Sequence, residues 1–170
     1  ESLTHASNFL YTLFGEVPDD EDGQVLDKDF LLHAEHGLNA SSFGARVTAS
    51  TQSDLHSAVT TGVGILKGPL HGGAAESVMK MAIDIGTPEK TEEYISNLLK
   101  NKDRVMGFGH RVYKSVDPRA IHLRDDAKKL GERKNQTNWY SILESIAELM
   151  VPYAKKGICQ NVDFFSGAIY

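Results

Sequence analysis

Apolar residues recur every three or four positions along most of this chain, the spacing that lines them up on one face of an α-helix. Leu3, Ala6, Leu10, Leu13 and Phe14 form the first such face, and Gly15 suits a helix stop. Leu55, Ala58, Val59, Gly62, Val63 and Leu66 form another, with Ser53 in position to cap it. A third runs through Ala74, Ala75, Val78, Met79, Ala82 and Ile83, closed by Gly86. Trp139, Ile142, Leu143, Ile146 and Met150 make the last strong stripe, which Pro152 should limit. No segment alternates with period two over the length of a strand, so the pattern predicts an all-α, multi-helical fold.

The helix ends support this. Thr87-Pro88 suits a cap followed by a first helical position, where a missing N–H costs nothing. Acidic Glu89, Glu92 and Glu93 open that helix, and Lys100 and Lys102 close it, in accord with the macrodipole. Asp117-Pro118 starts another in the same way, with Leu123, Ala127 and Leu130 inward. Two irregular intervals remain, 67–73 and 102–115, and both carry histidine.

Composition narrows the function. The 170 residues are 41% hydrophobic and 24% charged, an ordinary soluble balance, and a net charge of −5 argues against a nucleic-acid partner. No apolar run approaches the ~20 residues a membrane span needs. The start, ESLTHASNFLYTLFG, lacks the features of a secretion signal. Cys159 is the only cysteine, so no internal disulfide forms and a reducing, cytoplasmic setting is expected. The acidic run EVPDDEDG, 16–23, reads as a solvated loop.

Histidines supply the candidate chemistry. In GPLHGGA, His71 should sit at or just before a helix N-terminus, where unpaired N–H groups disfavour imidazolium. A neutral ring there could cap the helix, or donate to a developing oxyanion. In MGFGHRVYK, His110 follows two glycines among basic and aromatic residues. His33 and His36 lie near a helix end and could share a face as metal ligands, but no zinc-binding pattern accompanies them. Lys67, Arg104, Arg111 and Lys114 could form a basic rim for a phosphorylated ligand, or be plainly solvated. In QNVDFFSG, Asp163 stands among apolar residues that would raise its pKa toward general-base use, although Asx capping is the competing reading. Neither Gly-x-Gly stretch completes a dinucleotide fingerprint.

These stretches together resemble the citrate synthase family. MGFGHRVYKSVDPRA resembles its signature, KGPLHGGAAE and NVDFFSG the segments with its first catalytic histidine and its aspartate, and HAEHGLNAS its oxaloacetate-binding stretch. The resemblance implies that Asp163 removes a methyl proton from acetyl-CoA while His71 donates to the enolate. It further implies that His110 polarises and protonates the oxaloacetate carbonyl, that His36 and Arg119 hold oxaloacetate, and that Lys67, Arg111 and Lys114 meet CoA phosphates. Citrate and CoA would be released by hydrolysis, with no metal or cofactor, in a homodimer. Family members are much longer, so the resemblance implies a piece of one: 1–73 from the large helical domain, 74–160 the small domain and 161–170 a return to the large. Two further substrate-binding arginines would lie beyond Tyr170. 2-Methylcitrate synthase, which uses propionyl-CoA with the same three catalytic side chains, is the alternative, and the isolated segment is expected to be weakly active or inactive.

Overall fold

In a computed structural model, described over residues 2–68 and 71–170, the chain is helical as the pattern predicts. In order come α1 (His5–Phe14), α2 (Asp20–His33), α3 (Ala40–Ser50), α4 (Leu55–Leu66) and α5 (Ala74–Ile85). A single 3₁₀ turn (Pro88–Lys90) leads into α6 (Thr91–Asn101), followed by α7 (Pro118–Arg133), α8 (Thr137–Ala154) and α9 (Asp163–Ile169). Among the described residues the only β pairing is a lone antiparallel bridge between Phe108 and Gln160.

Four local expectations need correction, that for Ile83 among them. The acidic run is not all loop: Asp20, Glu21 and Asp22 make the first turn of α2, where negative charge complements the exposed N–H groups. Asp22 also pairs with Arg133 and, at 2.6 Å, with Lys134, tying the start of α2 to the end of α7. The cap of α4 is Asp54 rather than Ser53, its carboxylate accepting the Ser57 N–H at 3.0 Å. Pro152 lies within the last turn of α8, which continues to Ala154.

The main core is built by α5 to α9. Val78, Ala82 and Ile85 of α5 meet Ile95, Leu123, Ile142, Leu143 and Ile146, with Phe164 and Phe165 of α9 at its centre. Burial of each phenyl ring stabilises by about 2–3 kcal/mol. The approach of α9 to α5 depends on Gly167, where a Cβ would stand 2.8 Å from the carbonyl oxygen of Ala75. α3 and α4 pack against each other. Their outer face stays in solvent, Leu55, Val59 and Val63 being 74%, 54% and 59% exposed. Ile83, expected on the buried face of α5, is also exposed.

Candidate functional site

His110 sits on an irregular loop after α6 that is stitched to the segment before α9. Gly109 N–H donates to the Cys159 carbonyl at 2.7 Å, Asn161 N–H to Gly107 at 2.9 Å, and Asp117 N–H to Gln160 at 3.0 Å. Gly107 makes this close seating possible. Its φ is +80°, and a Cβ there would lie 2.6 Å from the ring and 3.0 Å from the Cα of Phe164. Asn161 completes the join, its amide donating to the Gly109 carbonyl at 3.0 Å while its oxygen accepts the Asp163 N–H at 3.1 Å. The loop histidine and the aspartate of α9 are therefore positioned by one shared piece of backbone.

The tautomer of His110 follows from its contacts. Nδ1 accepts the backbone N–H groups of Val112 and Tyr113 at 3.0 and 3.2 Å, so the ring proton belongs on Nε2. Burial, with His36 and Arg119 nearby, lowers its pKa against the opposing pull of Asp117 and Asp163. The result is a neutral imidazole with one free donor. His36 meets it edge to face, ring centroids 5.1 Å apart, and its Nε2 lies 3.1 Å from the Tyr113 hydroxyl.

Asp163 opens α9. Burial raises its pKa, and the positive charges of His33 and Arg119 partly oppose this. Arg119 follows Asp117, whose fully buried carboxylate accepts from its Nε at 3.0 Å and from Nη2 at 2.7 Å. One edge of the guanidinium fork is thus engaged by Asp117, its one ion-pair partner among the described residues.

His71 takes an unexpected position. It precedes α5, but its ring turns to the first turn of α3, where Nε2 accepts the Ser41 N–H at 3.3 Å and lies 2.9 Å from the Ser41 hydroxyl. That leaves Nδ1 to carry the ring proton as a donor. Among the described residues no hydrogen bond or ring contact joins His71 to His110 or Asp163; Pro69 and Leu70, beside it, lie outside them.

Lys67, Arg111 and Lys114 are exposed and in no ion pair among the described residues. Arg111 and Lys114 share the His110 loop, whereas Lys67 caps the end of α4. His33 and His36 have separate partners, Asp29 and Tyr113, and no group of three His, Cys, Asp or Glu gathers as metal ligands among the described residues. Asn161, Tyr113 and Asp29 escaped the sequence reading. The i, i+4 spacing of Asp29 and His33 was the signal available for the last.

Comparison with known proteins bears on the family. The family model for the C-terminal domain of citrate synthase matches residues 1–170. A citrate synthase of Deinococcus radiodurans is 50% identical over 169 residues, covering 99% of this chain and 45% of that protein. A 2-methylcitrate synthase of Mycobacterium tuberculosis is 43% identical over 168 residues, covering 99% and 42%. The citrate synthase of Thermoplasma acidophilum, solved with carboxymethyl-CoA and oxaloacetate, superposes with a TM-score of 0.92 at 36% identity, covering 100% of this chain and 45% of that one. The chain thus spans under half the length of these relatives.

Proposed function

The chain belongs to the citrate synthase family, and we propose that the intact protein carrying it condenses acetyl-CoA with oxaloacetate and hydrolyses citryl-CoA to citrate and CoA. A thioester α-proton is only weakly acidic, so its removal needs a desolvated base and a donor aimed at the enolate oxygen. Asp163 suits the first role, since burial raises its pKa. His71 suits the second through Nδ1, which its bond to Ser41 leaves protonated. The enolate carbon then attacks the oxaloacetate carbonyl as His110 Nε2–H passes its proton to the carbonyl oxygen. Water then attacks the thioester carbonyl, giving one proton back to His110; the C–S bond breaks, and the proton held by Asp163 passes to the departing CoA thiolate, which restores both side chains. His36 and the outer edge of Arg119 hold the oxaloacetate, and Lys67, Arg111 and Lys114 meet CoA phosphates. No metal or cofactor enters this reading.

One observation carries it: Asn161 ties the His110 loop to the start of α9, so Asp163 and His110, distant in sequence, share one neighbourhood with Arg119 and Asp117. We further infer a division at 1–73, 74–160 and 161–170; the separation of the α3–α4 pair from the core of α5 to α9 supports the first of these boundaries. The exposed stripe of Leu55, Val59 and Val63 supports a homodimer. A cytoplasmic setting suits the free thiol of Cys159. Thiol release by the intact protein, with oxaloacetate and either acetyl-CoA or propionyl-CoA, tests the assignment. Higher kcat/KM with acetyl-CoA is expected; preference for propionyl-CoA would favour the 2-methylcitrate reading, and release with neither would overturn both.

A further inference from the structure

Asp29, on α2, is fully buried, yet it belongs to none of the roles above. Its carboxylate gathers three partners. Ser166 Oγ, on α9, lies 3.0 Å from Oδ1 and 3.0 Å from the Val162 carbonyl oxygen; the Tyr170 hydroxyl donates to Oδ2; and His33 Nδ1, one turn along α2, bonds the Asp29 backbone carbonyl at 2.9 Å and stands 3.4 Å from Oδ2. A carboxylate removed from water is costly unless such donors replace its hydration. We propose that Asp29 is a positioning residue for Asp163, clamping α9 to α2 through Ser166 and Tyr170 and setting, through its pair with His33, the charge that Asp163 meets. This rests on Asp163 being the base proposed above.

The electrostatics agree in sign. Burial pushes the Asp29 carboxyl up, but bonds from His33, Tyr170 and Ser166 outweigh it and hold its pKa below the ordinary value. The hydrogen bond to Asp29 leads the causes that raise the His33 pKa, and burial only partly opposes them. His33 in turn is the first of the charges that pull the Asp163 pKa down against burial. The other ionisable groups around this cluster are Tyr170, the Lys28–Asp126 pair joining α2 to α7, and Asp117 and Arg119 at the start of α7. His5 of α1 packs on Phe30. On α5, Glu76 pairs with Lys80, and on α8 Tyr140 and Glu144 engage Arg124. Asp29 thus acts on Asp163 in two ways, by geometry and by charge.

The test pairs two readouts. In the 170-residue chain, NMR titration of the His33 ring should show its midpoint falling by about one pH unit in Asp29→Asn. In the intact protein, His33→Gln should move the acidic limb of kcat/KM upward, by roughly half to one pH unit, because Asp163 loses an opposing positive charge. kcat should fall about tenfold with little change in KM for oxaloacetate. If Asp29→Asn does not fold, His33→Gln alone decides, since it reads the charge on Asp163 directly. A lower melting temperature with an unmoved acidic limb would overturn the proposal and make Asp29 a simple staple. An unmoved His33 midpoint would overturn it as well. Wild-type protein without thiol release would instead defeat the proposed reaction, and the NMR arm would still decide the Asp29–His33 coupling.

Discussion

Asn161 donates its side-chain amide to the carbonyl of Gly109 at 3.0 Å, while its other end accepts the Asp163 N–H. A single amide therefore registers the His110 loop against the helix that begins with Asp163. In Asn161→Ala both bonds vanish, and each contributes about 1 kcal/mol. The larger expected effect is kinetic, because misplacing reacting groups by about 1 Å costs on the order of a hundredfold. Steady-state kinetics of the intact protein should show kcat reduced about a hundredfold with an unchanged far-UV spectrum. Unchanged kcat would remove Asn161 from this role.

Gly107 is the second point of contact between loop and helix. Gly107→Ala must place a Cβ in a left-handed conformation and against the Phe164 backbone. The conformational cost is about 1–2 kcal/mol and overpacking adds about 1–3 kcal/mol. Urea unfolding of the chain should show a loss of roughly 2–5 kcal/mol.

Arg119→Ala removes the outer guanidinium edge and also leaves the buried Asp117 carboxylate without its partner. Oxaloacetate binding should weaken at least tenfold, the cost of losing a charge-assisted pair of about 1.5–3 kcal/mol. CoA binding should change far less. Calorimetric titration of each ligand separates the two, and equal losses would contradict the assignment.

The Asp29–His33 pair has its own pH signature. Asp29 has its folded pKa below the ordinary 3.8, so its contribution is present above that value and fades as pH falls through the folded one. His33 is raised above its ordinary 6.5, so its contribution is full below 6.5 and is lost as pH rises through the folded value. The destabilisation caused by His33→Gln should therefore be larger at about pH 5.5 than at about pH 9. Urea midpoints at the two pH values check this, and equal deficits would contradict it.

The stripes that could be read from sequence belong to helices with one face buried. α5, α7 and α8 present Val78, Leu123 and Ile142 at helical spacing to a common core. α2 was harder, because the residues it buries are Gly23, Leu26 and Asp29, two of which give no hydrophobic signal. Its acidic opening also imitates a solvated loop until Arg133 and Lys134, more than a hundred positions away, are brought to it. α9 is short and buried on several sides, with Phe164, Phe165, Ser166 and Gly167 in succession, so no period shows. His71 was placed correctly before α5, but its ring bonds the start of α3, a tertiary contact that local pattern does not contain. The resemblance implied a ligand-gripping Arg119, but no local pattern shows that the Asp117 carboxylate engages its Nε and Nη2.

The most direct test of the chemistry is Asp163→Asn in the intact protein, a nearly isosteric change that removes the carboxylate proposed as base. Thiol release from acetyl-CoA with oxaloacetate should fall by about 10²–10⁴-fold, the usual worth of a general base, while oxaloacetate affinity stays within a few fold. Near-normal turnover in that variant would contradict the role given to Asp163.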